Sequence, residues 1–132
     1  MINTRQILGA VQTALTGDAS LTAVVPSANI GNHLKDDTGF PHIKYALDLD
    51  DAGIKRQTAY TGTLTLEVFT DYRGEAEVYQ INDLIAAVLD RNPLTIASGT
   101  NTFINFSEID VETEDDGRTR QGTITYNLMF TE

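Results

Sequence analysis

The fold is decided by FTDYRGEAEVYQINDLIAAVLDRNPL, from Phe69 to Leu94, together with TFINFSEIDVETEDDGRTRQGTITYNLMF, from Thr102 to Phe130. Its apolar residues recur first at helical spacing and then at alternate positions, which predicts a helix followed by two strands. Asp116-Gly117 lies between those strands and is typical of a two-residue type I′ turn. The stretch therefore predicts a strand, a helix and a long C-terminal hairpin.

The predicted helix runs from about Gly74 to Asp90. Glu75 and Glu77 suit its positive N-terminal end, and Asn92-Pro93 ends it. The apolar stripe that should face the core consists of Val78, Ile81, Leu84, Ile85, Val88 and Leu89.

A two-residue turn also fixes the register of the C-terminal hairpin. The predicted core face holds the pairs Ile109/Ile124, Val111/Gly122 and Phe103/Phe130, together with Tyr126 and Leu128. The predicted outer face is acidic near the tip, with Glu112/Gln121, Asp110/Thr123 and Glu108/Thr125, and apolar at the base, with Phe106/Asn127 and Ile104/Met129. We expect the first helix or a neighbouring subunit to cover that apolar base.

The first half of the chain predicts a helix, a helical turn and a second hairpin. The helix begins at Asn3 or Thr4 and reaches about Leu15, and a turn from Asp18 or Ser20 to Val24 follows. Residues 27–40 indicate a loop with a short strand near Ile30. Alternating apolar residues predict two strands, one with Ile43, Tyr45, Leu47 and Leu49, the other with Leu64, Leu66 and Val68. The whole predicts an α+β fold: a mainly antiparallel four-stranded sheet with helices packed on one face, in the order α-β-β-α-β-β, as a single domain over residues 1–132.

The composition disfavours several classes of protein. The net charge of −10, with only 9 basic residues, disfavours direct binding to DNA or to anionic membranes. No apolar stretch approaches the roughly 20 residues that span a membrane, and the N-terminus does not resemble a signal peptide. The absence of cysteine excludes a disulfide scaffold and fits a reducing compartment.

No motif predicts catalysis, a cofactor or a metal site. The acidic run that ends at Asp116-Gly117 partly mimics a calcium loop, but Thr123 stands where the bidentate acid would be needed. His33 and His42, with Asp36 and Asp37 between them, would allow a metal site or general base, yet they lack a third ligand or a matched nucleophile. We therefore expect solvated hairpin tips and loop histidines, and a metal-dependent enzyme is the most distant alternative.

Two segments are candidates for a subunit interface or for the lining of a channel. Glu108, Asp110, Glu112 and Glu114 share one strand face, which either protects an exposed edge or meets a partner or passing DNA. Arg118 and Arg120, near the tip, could pair with a neighbour's acids.

The second candidate segment is the loop from Asp50 to Thr58. It is either a mobile surface loop or an arm that docks on an adjacent subunit, with Ile54 as its anchor. Its candidate residues are Asp50, Asp51, Ile54, Lys55 and Arg56.

The order of several short motifs resembles that of the phage tail-completion, or tail terminator, family. These motifs are a D-x-x-L turn (Asp18 to Leu21), an aromatic-Pro strand entry (Phe40-Pro41), a strand ending in an aromatic residue (Leu66, Val68, Phe69), a step into a helix (Tyr72, Gly74, Glu75), a helix end (Leu89-Asp90) and an Asp-Gly-x-Thr-x-x-Gly hairpin (Asp116, Gly117, Thr119, Gly122). The resemblance is strongest from Leu64 to Phe130.

This resemblance implies a structural virion protein of the bacteriophage neck, assembled in the host cytoplasm. Such a protein caps the tail tube as a ring, expected to be a hexamer, and joins the tail to the head. Its partners would be further copies of itself, the tail tube protein and the head-completion or connector protein, with DNA only as a passing occupant of the lumen. The alternatives are another neck or tail protein, such as a connector or tube subunit, and a generic soluble α+β interaction module. The strong acidity is a departure from the family pattern.

Overall fold

Three helices and one five-stranded sheet form the secondary structure of the described residues, apart from one short 3-10 turn. The computed structural model describes residues 4–34, 39–51, 59–71, 75–92, 94, 101–113 and 119–131. In chain order the elements are α1 (Thr4–Thr16), α2 (Ala19–Thr22), the 3-10 turn (Ser27–Asn29), β1 (Ile30–Gly31), β2 (His42–Asp51), β3 (Ala59–Thr70), α3 (Ala76–Leu89), β4 (Asn101–Thr113) and β5 (Arg120–Thr131).

The sheet is mixed, and its strand order is β1-β2-β3-β5-β4. The α+β class and the packing of the helices on one face are confirmed, but the prediction of a four-stranded sheet is wrong. The fifth strand, β1, pairs in parallel with β2 through Ile30↔Ile43 and Gly31↔Lys44. A strand of only two residues is too short to show an alternation of apolar and polar side chains. The sequence could therefore indicate a short strand near Ile30 but could not place it in the sheet.

The core lies between one face of the sheet and the three helices. Its helical part includes Ile7, Val11 and Leu15 of α1, Leu21 of α2, and Ile81, Ile85 and Leu89 of α3. The predicted stripe of α3 is confirmed, with Leu84 and Val88 only partly buried at its margin. The sheet contributes Ile43, Tyr45, Leu64, Leu66, Val68, Ile104, Ile124, Tyr126, Leu128 and Phe130. We call this side of the sheet the inner face and the opposite side the outer face.

The C-terminal hairpin follows the predicted register near its tip and departs from it at its base. Ile109 pairs with Ile124 and Val111 with Gly122, as predicted. An irregularity between Phe106 and Glu108 then shifts the pairing by one residue. Because side chains alternate between the two faces of a strand, an extra residue at this bulge exchanges the faces of every residue before it.

Because of this shift, several aromatic and apolar side chains lie on the face of the sheet opposite to the predicted one. Phe103 pairs with Met129 rather than Phe130 and is 59% exposed, whereas Ile104 is 2% exposed in the core. Phe106 pairs with Tyr126 and packs edge-on against its ring, with centroids 5.7 Å apart. Phe103 and Ile104 are adjacent and both apolar, so their alternation could not reveal the bulge. The turn at Asp116-Gly117 lies outside the described residues.

Gly122 is the point of close approach between α3 and the sheet. A Cβ atom at this position would lie 2.4 Å from Val78 Cγ1. Gly122 is itself buried in the middle of three antiparallel strands, opposite Val68 and Val111. The absence of a side chain at Gly122 therefore allows α3 to lie directly on β5.

The predicted hairpin of β2 and β3 is confirmed over its paired length, which ends at Asp51↔Tyr60. Its tip, residues 52–58, lies outside the described residues. Within the described part of the chain, the helices are too short or too polar to cross a membrane.

Candidate assembly surface

The outer face carries no described helix, and the register orders its side chains in rows across the sheet. From the end near the β4–β5 tip, the rows read His42–Phe69–Gln121–Glu112, Lys44–Glu67–Thr123–Asp110, Ala46–Thr65–Thr125–Glu108, Asp48–Thr63–Asn127–Asn105 and Thr61–Met129–Phe103. Threonine, asparagine and carboxylate side chains dominate the centre of this face. An apolar pair, Met129 and Phe103, closes its far end.

The apolar end of the outer face forms a groove of about 580 Å³. Phe103 and Met129 are its exposed apolar members, 59% and 39% accessible. Its lining comprises Thr61, Gly62, Thr63, Phe103, Asn105, Asn127, Leu128 and Met129, and we call it the Phe103 groove. An apolar base on the outer face was predicted, although with Ile104 and Phe106 in place of Phe103. The helix α1 packs on the inner face, so the first of the two predicted covers of this patch is wrong, and a neighbouring subunit stays a prediction.

The acidic end of the outer face contains the predicted carboxylates that the structure describes. Glu108, Asp110 and Glu112 are exposed and share this face of β4. Arg120 is half-buried, and its pairing with Thr70 and Thr113 places it on the inner side. Glu114 and Arg118 lie outside the described residues.

The two candidate segments lie at opposite ends of the sheet. Asp50 pairs with Thr61, which pairs with Met129, so the strand positions of Asp50 and Asp51 adjoin the Phe103 groove. From there to the acidic end the sheet extends for about 27 Å, at roughly 3.3 Å per residue. Ile54, Lys55 and Arg56 lie outside the described residues. The two candidate segments are therefore separate surfaces of the subunit.

The edge of β4 is capped by the residues that end α3. The Asp90 carboxylate accepts a hydrogen bond from the Phe106 backbone N–H at 2.9 Å, and the Arg91 N–H donates to the Ile104 carbonyl at 2.8 Å. Arg91 adopts φ 59°, an uncommon conformation for a residue with a side chain. A carboxylate at a helix C-terminus is electrostatically unfavourable, and this could have indicated the role of Asp90 from sequence. The cap occupies part of the strand edge and limits pairing with other chains.

We expect Asp90→Ala to lower the free energy of unfolding by about 1 kcal/mol, because Phe106 N–H loses its acceptor. It should also increase self-association through the freed edge. Urea denaturation and light scattering measure the two effects. Asp90→Asn is the matched control, since it retains an acceptor oxygen and should lose less stability than Asp90→Ala. Equal losses in both variants would show that the hydrogen bond to Phe106 contributes little.

The two histidines occupy different environments. His33 is exposed, whereas the ring of His42 stacks between Phe40 and Phe69, with centroid distances of 5.2 and 4.8 Å. His42 Nδ1 lies 3.1 Å from the Gly39 carbonyl. Asp36 and Asp37 lie outside the described residues, and the described ones form no cluster of three or more metal-ligating side chains. His42 therefore takes part in an aromatic stack on the outer face.

Burial affects two tyrosines that belong to the core. Burial raises the pKa of Tyr126, and the nearby Asp90 carboxylate raises that pKa further. Among the described residues, the Tyr126 hydroxyl has no hydrogen-bond partner. Burial also raises the pKa of Tyr45, whose hydroxyl donates to Gln12 Oε1 at 2.6 Å and so joins α1 to β2. Both hydroxyl groups therefore stay neutral in the folded protein to a higher pH than that of an ordinary tyrosine.

Comparison with known proteins agrees with the pattern of elements. The model of the family described as tail completion protein gp17 matches residues 9–131. The chain belongs to this family. As a tail completion protein, it is a structural protein of the virion tail or neck.

Solved structures share the fold of this chain. A chain from the virion of a native gene transfer agent particle aligns with a TM-score of 0.84 at 18% identity, covering 96% of this chain and 95% of that chain. A second solved structure aligns with a TM-score of 0.66 at 18% identity, covering 100% of this chain and 97% of the other. At this identity the likeness concerns the fold. The sequence matches none of the curated proteins.

Proposed function

We propose that this tail completion protein closes the end of the tail tube as a hexameric ring and joins the tail to the head connector. The observation that carries the proposal is the outer face, where Phe103 and Met129 are exposed on a sheet whose described helices all lie on the other side. Exposed apolar surface of this kind is typical of a protein–protein interface. The role is structural and requires no catalytic residue, cofactor or metal.

The two ends of the outer face suit different roles in such a ring. The apolar end around Phe103 suits a contact between subunits. The acidic end, with Glu108, Asp110 and Glu112, suits the wall of a channel, because carboxylates repel DNA phosphates and leave the DNA free to pass. In a closed ring each subunit contacts two neighbours through different surfaces, so a subunit whose candidate surfaces lie far apart fits that symmetry.

Removal of the protein from the phage tests this role. We expect cells infected by phage lacking it to accumulate DNA-filled heads and separate tails, with joining restored when the protein is supplied from a plasmid. A tube subunit would instead leave no tails at all, and a connector would leave heads that lose their DNA. Normal joined particles in its absence would reject a role in head–tail joining.

Substitution of the proposed arm anchor separates assembly from folding. We expect Ile54→Asp to reduce ring formation at least tenfold, because a carboxylate cannot enter an apolar contact without a large desolvation cost. Thermal unfolding of the monomer should change little. Sedimentation of the oligomer and the melting curve are the two measurements. Equal loss of both would identify Ile54 as a core residue instead.

A further inference from the structure

The Phe103 groove has the features of a site for an extended peptide with one apolar side chain. Phe103 and Met129 supply apolar walls. Asn105 and Asn127 lie directly opposite each other in the floor, with Thr63 beside them. Carboxamides both donate and accept hydrogen bonds, so they can hold a peptide backbone while the apolar walls take its side chain.

We propose that residues 52–58 of one copy dock in the Phe103 groove of a neighbouring copy, with Ile54 between Phe103 and Met129. This contact rests on the proposed ring and specifies which surface receives the arm. The described residues form the receiving site, and the segment of the second copy is its occupant.

The position of the arm favours this occupant. The segment leaves the sheet at Asp51 and returns at Ala59, at the same end as the groove. A half-loop of three to four residues reaches at most about 12 Å beyond the sheet, at roughly 3.4 Å per residue. That reach is enough to contact the next subunit and far too short to reach the acidic end, about 27 Å away.

Charge complementarity also favours the arm. The outer face beside the groove carries Asp48, which pairs with the groove residue Thr63, whereas the described lysine of this face, Lys44, lies four residues farther along β2. Lys55 and Arg56 follow Ile54 directly and are the adjacent basic pair of a chain with net charge −10. A segment that is apolar and then basic therefore matches a groove that is apolar and has the Asp48 carboxylate beside it.

Such a contact is heterologous, because the arm of one copy meets a different surface of the next. Heterologous contacts repeat around an axis and close a ring when the rotation permits. The arm and its groove would then determine the order of subunits around the ring.

Disulfide trapping tests the contact directly, since the natural chain contains no cysteine. We would combine Ile54→Cys and Met129→Cys in one chain, oxidise the purified protein and analyse it on a denaturing gel. The expected result is a ladder of covalent oligomers that ends at the subunit number of the ring. The matched control combines Ile54→Cys with Thr123→Cys, on the same strand and face but about 20 Å from Met129, and it should remain monomeric.

Three results would overturn the proposal: no covalent oligomers, a ladder of equal intensity in the Thr123 control, or an intrachain disulfide in a monomer. The last result would show that the arm covers its own groove.

Measuring the oligomer mass of the same protein before oxidation tests the ring independently of the arm contact. If rings are present before oxidation but no disulfide forms between positions 54 and 129 afterwards, the arm contact is rejected and the ring is retained. Trapped oligomers in a sample without closed rings would support the arm contact and reject the hexamer. Mixing the two single-cysteine variants should give one covalent dimer, and its absence would also reject the contact.

Discussion

Gly122→Val lowers the free energy of unfolding by about 3 kcal/mol, the upper part of the range for overpacking a core. The added Cβ would lie 2.4 Å from Val78 Cγ1, far inside van der Waals contact. Gly122 lies in β5 between β3 and β4, so neither neighbour allows the strand to move away from α3. Either α3 moves outward, which opens the core around Ile81, or Val78 takes an unfavourable rotamer.

A double-mutant cycle identifies the cause. Val78→Ala alone should be destabilising because it leaves a cavity, but combined with Gly122→Ala it should restore part of the loss. Thr123→Val is the control on the same strand, since its side chain lies on the outer face and should change stability by less than about 0.5 kcal/mol. Urea denaturation gives all of these values. Additive effects of Gly122→Ala and Val78→Ala would contradict the close approach of α3 to β5.

Alkaline pH produces the second large effect. The pKa values of Tyr126 and Tyr45 are raised in the folded protein, whereas an unfolded tyrosine ionises near pH 10. Above that pH the unfolded state binds fewer protons than the folded state, so stability falls as pH rises. Below about pH 10 this stabilisation is fully present. Each such tyrosine contributes a loss of about 1.4 kcal/mol per pH unit until its folded pKa is reached.

Tyr126→Phe tests this assignment. We expect the variant to lose less stability per pH unit between pH 10 and 12 than the natural protein. At neutral pH its stability should be equal or higher, because the Tyr126 hydroxyl has no partner among the described residues. Tyr79→Phe is the control, since Tyr79 is exposed. An unchanged alkaline slope in Tyr126→Phe would show that this hydroxyl ionises in the folded protein as readily as in the unfolded one.

The sequence predicts those elements whose side chains repeat with one period. The alternation in β2 and β3 and the helical stripe of α3 each fix a buried face, and both are confirmed. The strand β1 contains two residues and therefore no period. The bulge between Phe106 and Glu108 lies in a run where apolar residues occupy both faces, so pattern alone cannot locate it.

The presence or absence of a clear side-chain period also explains which surface residues the sequence predicted correctly. Glu108, Asp110 and Glu112 alternate clearly with apolar residues and lie together on the outer face, as predicted. Phe103 was assigned to the core because the predicted register had no bulge. The position of Asp90 at a helix C-terminus is a local signal of some special role, but its partner Phe106 lies 16 positions away and no local pattern identifies it. The use of Glu108, Asp110 and Glu112 as an interface or channel lining stays a prediction.

Electron microscopy of the purified protein, mixed with tail tubes that lack their completion protein, tests the central proposal most directly. We predict rings of six subunits that cap one end of each tube, with Ile54→Asp protein leaving the tubes uncapped. Long stacked tubes of the protein alone would indicate a tube subunit. A monomer that leaves every tube end open would contradict the proposed terminator role.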